Sequence, residues 1–278
     1  MLNDFDLTIA QVIKKYNLLE NKKRSKSYGQ HFLYDSLLLK KIIHSALPFD
    51  DNDIIEIGPG PCGLTREIVE YSKSNNIYCI EKDMNLKELH KNFQKNTKNN
   101  IKFIYEDALN IKPQNITQKG IIIISNLPYN VGTQIFLNIL SDLTRISKMV
   151  LMFQKEVADR ICAKIGTKSY GRLSIISQLL CNVEKIFDIS NKAFFPEPKV
   201  ISTVIKVTPK NNIPEIKKLE QLTEKCFQFR RKTIYTILRK INLKIDIEKI
   251  LEECGIDKQA RPENISPQKF LELSEKLL

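Results

Sequence analysis

The chain of 278 residues carries 44 Lys and Arg against 32 Asp and Glu, which gives a net charge of +12 and a pI near 9.3. This excess favours a polyanionic partner such as nucleic acid, and the lack of any apolar run near ~20 residues argues against a membrane protein. Six scattered cysteines and three histidines have no metal-ligand spacing, which argues against zinc or Cys/His catalysis. The N-terminus lacks the order of a signal peptide, so we expect a cytoplasmic protein.

The N-terminal region is basic. Leu2–Tyr16 has helical spacing but few caps, so we expect a loosely held arm within a basic region 1–25. Asp35 or Ser36 is a candidate N-cap for a helix through Ile43. Between residues 14 and 41, two acids stand against eight basic residues, which are Lys14, Lys15, Lys22, Lys23, Arg24, Lys26, Lys40 and Lys41.

Strand and helix patterns alternate in the next part of the chain. Stretches such as Leu64–Ser72 and Leu86–Asn92 are long enough for crossover helices. Such repeated units predict an α/β fold with a parallel sheet. The candidate strands are Asp53–Ile57, Asn76–Ile80, Ile101–Tyr105, Gly120–Ser125 and Lys148–Phe153.

The C-terminal part has a different pattern. Helical patterns at Glu156–Lys164 and Leu173–Cys181 precede a β-branched, alternating strand at Val200–Val207. A linker, Thr208–Pro214, then leads to a segment that is helical throughout. We therefore predict a domain over 1–208 and a small helical domain over 209–278.

Four basic residues in the helical segment recur every seven positions. This spacing predicts that they share one face of a helix, which is either solvated or in contact with phosphates. They are Lys218, Lys225, Lys232 and Arg239.

A glycine-rich turn follows the first predicted strand. Gly58–Gly63 matches G-x-G-x-x-G, and Glu81 follows about 20 residues later, so a nicotinamide dehydrogenase is a real alternative. However, Glu56 precedes the first glycine, and two prolines stiffen the turn. These features favour a cofactor that presents an adenosine and an amino acid rather than a pyrophosphate. We also find no donor and acceptor pair for hydride chemistry.

Two further turns follow predicted strands. Asp107 offers a carboxylate for an adenine amine, and Asn126–Tyr129 follows the buried isoleucine run Ile121–Ile124. In open α/β sheets, ligands bind at the carboxyl ends of the strands. An amide, a carbonyl beside a proline and an aromatic ring are suited to hold a planar base with an exocyclic amine.

These motifs, in this order, resemble those of S-adenosylmethionine-dependent amino-methyltransferases. Other segments, from about residue 22 to the C-terminus, resemble the ribosomal RNA adenine dimethyltransferases, and in particular the bacterial small-subunit branch of that family. They are Lys26–Leu33, Gln154–Arg160, Tyr170–Ser174, Ala193–Val200, Phe229–Thr233 and Arg261–Ser266.

The resemblance implies a Rossmann-like class I methyltransferase sheet with a helical C-terminal RNA-binding domain. It implies S-adenosylmethionine as cofactor and, as partner, small-subunit rRNA in an assembling particle, with the protein acting as a monomer. The product would be N6,N6-dimethyladenosine at two adjacent adenosines near the rRNA 3′ end. The implied cofactor contacts are His31, Leu33, Gly58, Glu81, Asp107 and Asn126. The implied contacts with the target base are Asn126, Leu127, Tyr129 and Phe194.

The expected chemistry is mainly positioning. The Asn126 amide oxygen and the Leu127 carbonyl would accept the hydrogens of the adenine amine, while Tyr129 and Phe194 would stack on the base. Phe195 competes with Phe194 for the stacking role. Glu81 and Asp107 could instead serve only as strand-end caps.

Two departures from the family pattern and two alternative functions stay open. Ile201 stands where relatives often have an acid, and the usual Asn after the Arg-Arg-Lys-Thr segment is not evident in Ile234–Thr236. A methyltransferase of other RNA or of DNA would share the Asn126–Tyr129 chemistry, although the short tail offers little room for a domain that reads DNA bases. A non-catalytic RNA-binding relative is the other alternative, and the intact Asn126 and Tyr129 argue against it.

Overall fold

The computed structural model describes residues 7–18, 30–72, 75–241 and 245–277. The chain divides into two compact units, residues 1–158 with 184–208, and residues 159–183 with 209–278. Residues 159–183, which the sequence analysis placed with the sheet, therefore belong to the second unit. In the described part of the chain, no helix is both long and apolar enough to cross a lipid bilayer.

The described part of the chain contains both strands and helices, with the following bounds. The strands are β1 (Phe32–Leu33), β2 (Asp53–Ile57), β3 (Ile77–Glu81), β4 (Ile101–Tyr105), β5 (Ile121–Asn126), β6 (Ile146–Gln154), β7 (Cys181–Ile189), β8 (Phe194–Phe195) and β9 (Ser202–Pro209). The first helices are α1 (Ile9–Lys15), α2 (Ser36–Ala46), α3 (Gly63–Tyr71), α4 (Lys87–Lys95), α5 (Gly132–Leu140) and α6 (Lys155–Ile161). The others are α7 (Arg172–Leu180), α8 (Lys217–Gln228), α9 (Ile234–Ile241), α10 (Ile247–Glu253) and α11 (Pro267–Leu277).

Seven strands form one sheet in the order β4-β3-β2-β5-β6-β9-β7. The pairs from β4 to β6 are parallel, and β9 runs antiparallel to β6. All residues of β2 are buried, as expected for a central strand covered by helices on both faces. The prediction of an α/β fold with a parallel sheet is confirmed, and the six predicted strands match within two residues at either end. Strand β7 was not predicted.

The N-terminal helix α1 contradicts the expectation of a loosely held arm. Thr8 caps the helix in a reciprocal pair with Gln11, whose backbone N–H donates to the Thr8 hydroxyl at 3.3 Å. Ile9, Val12 and Ile13 are buried in the core that also contains the sheet. Residues 1–6 and 19–29, which include four of the eight basic residues named between positions 14 and 41, lie outside the described residues.

The second unit has a core of its own, built from the helices around α8, α9 and α11. The expected shared face of Lys218, Lys225, Lys232 and Arg239 is wrong. Helix α8 ends at Gln228 and α9 begins at Ile234, so Lys232 lies in the connection between two helices.

Candidate functional site

The glycine turn after β2 is held in the left-handed region of the backbone. Gly58 has φ +71° and Gly60 has φ +51°, conformations that favour glycine. The Gly58 N–H donates to the Ile80 carbonyl at 2.9 Å. A Cβ on Gly60 would lie 3.0 Å from the Phe32 ring. The turn therefore depends on glycine both for its conformation and for its close packing.

Glu81, at the end of β3, caps this turn. One carboxylate oxygen accepts the Gly60 N–H at 3.2 Å and the other accepts the Asp83 N–H at 2.8 Å. Burial raises the pKa of Glu81 to about 7. A carboxylate has about four acceptor positions, and the backbone N–H groups of Gly60, Asp83 and Lys82 account for three, so the carboxylate can still accept from a ligand. Glu81 can thus serve as a cap and as a ligand acceptor together.

Glu56 lies beneath the turn rather than in the site. Its side chain is 1% exposed, and the Cys79 thiol donates to it at 3.8 Å. Burial raises the pKa of Glu56 to about 8, so the carboxyl is mostly protonated at neutral pH. A protonated carboxyl avoids the cost of placing a charge in the core of the sheet.

Asp107, after β4, is paired with Lys82. The Lys82 Nζ lies 2.6 Å from one carboxylate oxygen of Asp107, and the Leu109 N–H donates to the other at 3.0 Å. The hydrogen bond from Lys82 is the main reason that the pKa of Asp107 lies below its usual value. Asp107 is therefore an anchored carboxylate whose remaining lone pairs can accept from an adenine amine.

The turn after β5 orients the Asn126 amide. Its Nδ2 donates to the His31 carbonyl at 2.9 Å, which leaves the amide oxygen as the atom available to a donor. The Pro128 carbonyl accepts the N–H groups of Val131 and Gly132 at 3.2 and 2.7 Å, and these bonds lead the chain into α5. The Leu127 side chain is buried, so this residue can contribute to a site mainly through its backbone.

Tyr129 is held from two sides. Its ring stacks on the His31 imidazole with 5.1 Å between centroids, and its hydroxyl is hydrogen-bonded to the Ser202 hydroxyl. His31 Nδ1 lies 2.7 Å from the Pro196 carbonyl, and because a carbonyl only accepts, this nitrogen carries a proton. Burial raises the pKa of Tyr129, so its hydroxyl stays protonated.

A cavity of about 260 Å³ brings most of these groups together. Of the residues implied by the resemblance, those that line it are His31, Gly58, Glu81, Asp107, Asn126, Leu127 and Tyr129. Lys82 and Ser202 belong to none of the sequence motifs: Lys82 follows Glu81, and Ser202 lies two residues after Val200. Residues 26–29 of the first family motif lie outside the described residues.

Two implied residues do not line this cavity. Leu33 and Phe194 lie opposite each other in the β1–β8 pair, and their side chains are 4% and 2% exposed. Phe195, the alternative stacking residue, is 53% exposed. The structure thus buries the first candidate and leaves the second accessible.

The character of the cavity fits an adenosine cofactor that lacks phosphates. Two carboxylates, Glu81 and Asp107, line it, and the Lys82 cation is already paired with one of them. Ribose hydroxyls and an adenine amine donate to such acids, and the one lysine among the described lining residues is held by Asp107 rather than directed at a pyrophosphate. The residues present therefore fit S-adenosylmethionine better than a nicotinamide dinucleotide.

Comparison with known proteins identifies the family. The family model for ribosomal RNA adenine dimethylase matches residues 20–278. The chain belongs to this family. Family membership confirms the prediction of an rRNA adenine dimethyltransferase with a class I methyltransferase fold.

Relatives of this dimethylase carry names that agree with the family. The chain is 38% identical to "Ribosomal RNA small subunit methyltransferase A" of Wolbachia sp. subsp. Drosophila simulans over 89% of this chain and 91% of the relative. It is 37% identical to the protein of the same name from Anaplasma marginale, over 91% of this chain and 93% of the relative.

Solved structures share the fold of this dimethylase. The crystal structure of a dimethyladenosine transferase from Plasmodium falciparum has a TM-score of 0.75 at 25% identity, covering 87% of this chain and 96% of that chain. The 23S rRNA methyltransferase ErmE has a TM-score of 0.67 at 24% identity, covering 88% of this chain and 99% of that chain, which shows a common fold.

Proposed function

We propose that this protein transfers methyl groups from S-adenosylmethionine to N6 of two adjacent adenosines near the 3′ end of small-subunit rRNA. The products are N6,N6-dimethyladenosines, and the substrate is an assembling small subunit, which gives the protein a role in ribosome biogenesis. The names of its relatives support the choice of the small subunit. We place the protein in the cytoplasm as a monomer, with the helical residues 209–278 in contact with rRNA.

The orientation of the Asn126 amide carries the proposal. Because its Nδ2 is engaged with the His31 carbonyl, the amide oxygen is directed to accept rather than donate. This oxygen and the Leu127 carbonyl accept the two hydrogens of the adenine amine. Their pull draws the nitrogen toward tetrahedral geometry and orients its lone pair, so the rate gain comes from positioning and fixed dipoles.

The cofactor pocket is formed by the glycine turn and two acids. Gly58 and Gly60 let the backbone approach the ligand closely, Glu81 accepts from the ribose, and Asp107 accepts from the adenine amine. S-adenosylmethionine, when bound, supplies an electrophilic methyl group on a sulfonium. After the first transfer the amine nitrogen loses one hydrogen as a proton and keeps one, so only one of the two oxygens can accept from it in the second transfer, while the ring that Tyr129 contacts is unchanged.

Aromatic rings hold the target base once it leaves its stack. Tyr129 offers one ring, fixed by His31 and Ser202, and base stacking of this kind contributes roughly 1–3 kcal/mol. For the second face we propose Phe195 rather than Phe194, since Phe195 is 53% exposed and Phe194 is 2% exposed. Replacing each by leucine tests this choice: Phe195→Leu should weaken RNA methylation more than Phe194→Leu, once both variants are matched for folded fraction.

The decisive experiment uses small subunits from cells that lack this activity. They are incubated with methyl-labelled S-adenosylmethionine and wild-type protein, Asn126→Ala, or the control Asn96→Ala, whose side chain is exposed at the C-cap of α4. We expect dimethyladenosine in digested rRNA with wild type and control, and its loss with Asn126→Ala. A wild-type protein that binds S-adenosylhomocysteine but leaves the rRNA unlabelled would refute the rRNA substrate and favour DNA methylation or a binding role.

A further inference from the structure

His90 is a buried histidine directly beneath the glycine turn. It lies on α4 and is 0% exposed. Its Nε2 lies 2.8 Å from the Gly60 carbonyl oxygen, and its Nδ1 lies 3.0 Å from the Tyr105 hydroxyl. Its ring stacks on Phe103 with 4.3 Å between centroids and 10° between planes. All edges of the imidazole are thus engaged by named partners.

These partners determine the tautomer of His90. The Gly60 carbonyl can only accept, so Nε2 carries the proton and donates. In the neutral ring Nδ1 is then an acceptor, and the Tyr105 hydroxyl donates to it. Burial lowers the pKa of His90 to about 4, which is consistent with a neutral ring at neutral pH.

The Gly60 residue is consequently held at both ends. Glu81 accepts its N–H at 3.2 Å, and His90 donates to its carbonyl at 2.8 Å. Glycine at φ +51° has little intrinsic preference for one conformation, so these two bonds select the orientation that lines the cavity. Glu81 comes from β3 and His90 from α4, so two separate elements fix one peptide group.

We propose that His90 is a positioning residue for the cofactor, because its Nε2–H bond to the Gly60 carbonyl fixes the turn against which the adenosine part binds. The inference rests on the proposed use of S-adenosylmethionine. An apolar side chain would fill the same space without burying polar atoms, so packing alone does not account for an imidazole here.

The test compares three variants by calorimetric titration with S-adenosylhomocysteine. His90→Phe keeps a ring against Phe103 but removes the donor, His90→Gln keeps a donor of similar reach, and Tyr105→Phe removes only the supporting hydroxyl. We expect Kd to rise on the order of tenfold in His90→Phe, because without the donor the Gly60 peptide leaves its cavity-lining orientation and only the fraction of molecules that keeps it can bind. His90→Gln should recover part of this loss, and Tyr105→Phe should lie between wild type and His90→Phe.

Kinetics separate positioning from a merely structural role. The KM for S-adenosylmethionine should rise in His90→Phe, while kcat at saturating cofactor and the KM for small subunits stay near wild type. A folded His90→Phe with wild-type Kd would overturn the inference, as would a loss of kcat that simply follows a lower Tm. If His90→Phe does not fold, an unchanged Kd in Tyr105→Phe overturns it. A wild-type protein that does not bind S-adenosylhomocysteine would instead refute the proposed cofactor itself.

Discussion

Replacing Glu56 by glutamine should remove part of the pH dependence of the stability of the sheet. The Glu56 carboxyl is 1% exposed in β2, and burial raises its pKa from the ordinary 4.5 to about 8. Between these values the folded state keeps a proton that the unfolded chain has released. The free energy of unfolding therefore falls as pH rises through this range, and it levels off above about 8.

Other buried groups define the window in which this effect can be measured. Burial lowers the pKa of His90 from 6.5 to about 4, so in that lower range the unfolded state binds the extra proton and stability rises with pH. Glu81 contributes in the same direction as Glu56, but it is present in both proteins compared. Between pH 6.5 and 8, the proton that Glu56 holds only in the folded state changes the free energy of unfolding by about 2 kcal/mol.

The measurement is amide hydrogen exchange of β2 and β5, which reports the opening free energy of the sheet without assuming that both units unfold together. Wild type should lose about 2 kcal/mol more than Glu56→Gln between pH 6.5 and 8. Glu70→Gln, a change at an exposed residue on α3, should keep the wild-type pH dependence. If Glu56→Gln keeps it as well, the carboxyl is not the group that titrates.

Three further changes test the site and its support. Tyr129→Phe loses only the hydrogen bond to Ser202 and should lower kcat/KM for small subunits a few-fold. Tyr129→Ala also loses the stacking ring and should lower kcat/KM roughly 5- to 150-fold. Similar losses in the two variants would argue against stacking. Gly60→Ala combines φ +51° with a Cβ 3.0 Å from the Phe32 ring, so it should weaken S-adenosylhomocysteine binding by about tenfold or more in titration. Thr8→Ala removes the cap of α1 and should cost about 1 kcal/mol in urea unfolding with activity retained.

The central strands could be predicted because their side chains are buried on both faces. The isoleucine run of β5 is buried throughout and stands out as an apolar block. Strand β7 lacks such a block: in Cys181–Ile189 only the two end residues are buried, as is usual for a strand at the edge of a sheet. The cap of α1 has a local sequence signature, because Thr8 and Gln11 have the spacing of a capping box.

The site residues that could be predicted from the sequence are those that lie at the carboxyl ends of the parallel strands. Glu81 and Asn126 end β3 and β5, so the parallel sheet alone brings them to one edge. The choice between Phe194 and Phe195 depends on how β8 packs against β1, which no local pattern encodes. The contact of His90 with Gly60 joins residues 30 positions apart and depends on how α4 packs beneath the turn.

The short β1–β8 pair has a consequence for the order in which the protein matures. His31, which orients the Asn126 amide through its carbonyl, is itself held by Pro196. A growing chain is made from its N-terminus, so the sheet strands β2 to β6 are available before residue 196 exists. A nascent chain can thus fold much of its sheet before Pro196 is present to hold His31, and therefore before the Asn126 amide is oriented. An enzyme that modifies ribosomal RNA would acquire its complete site only late in its own translation.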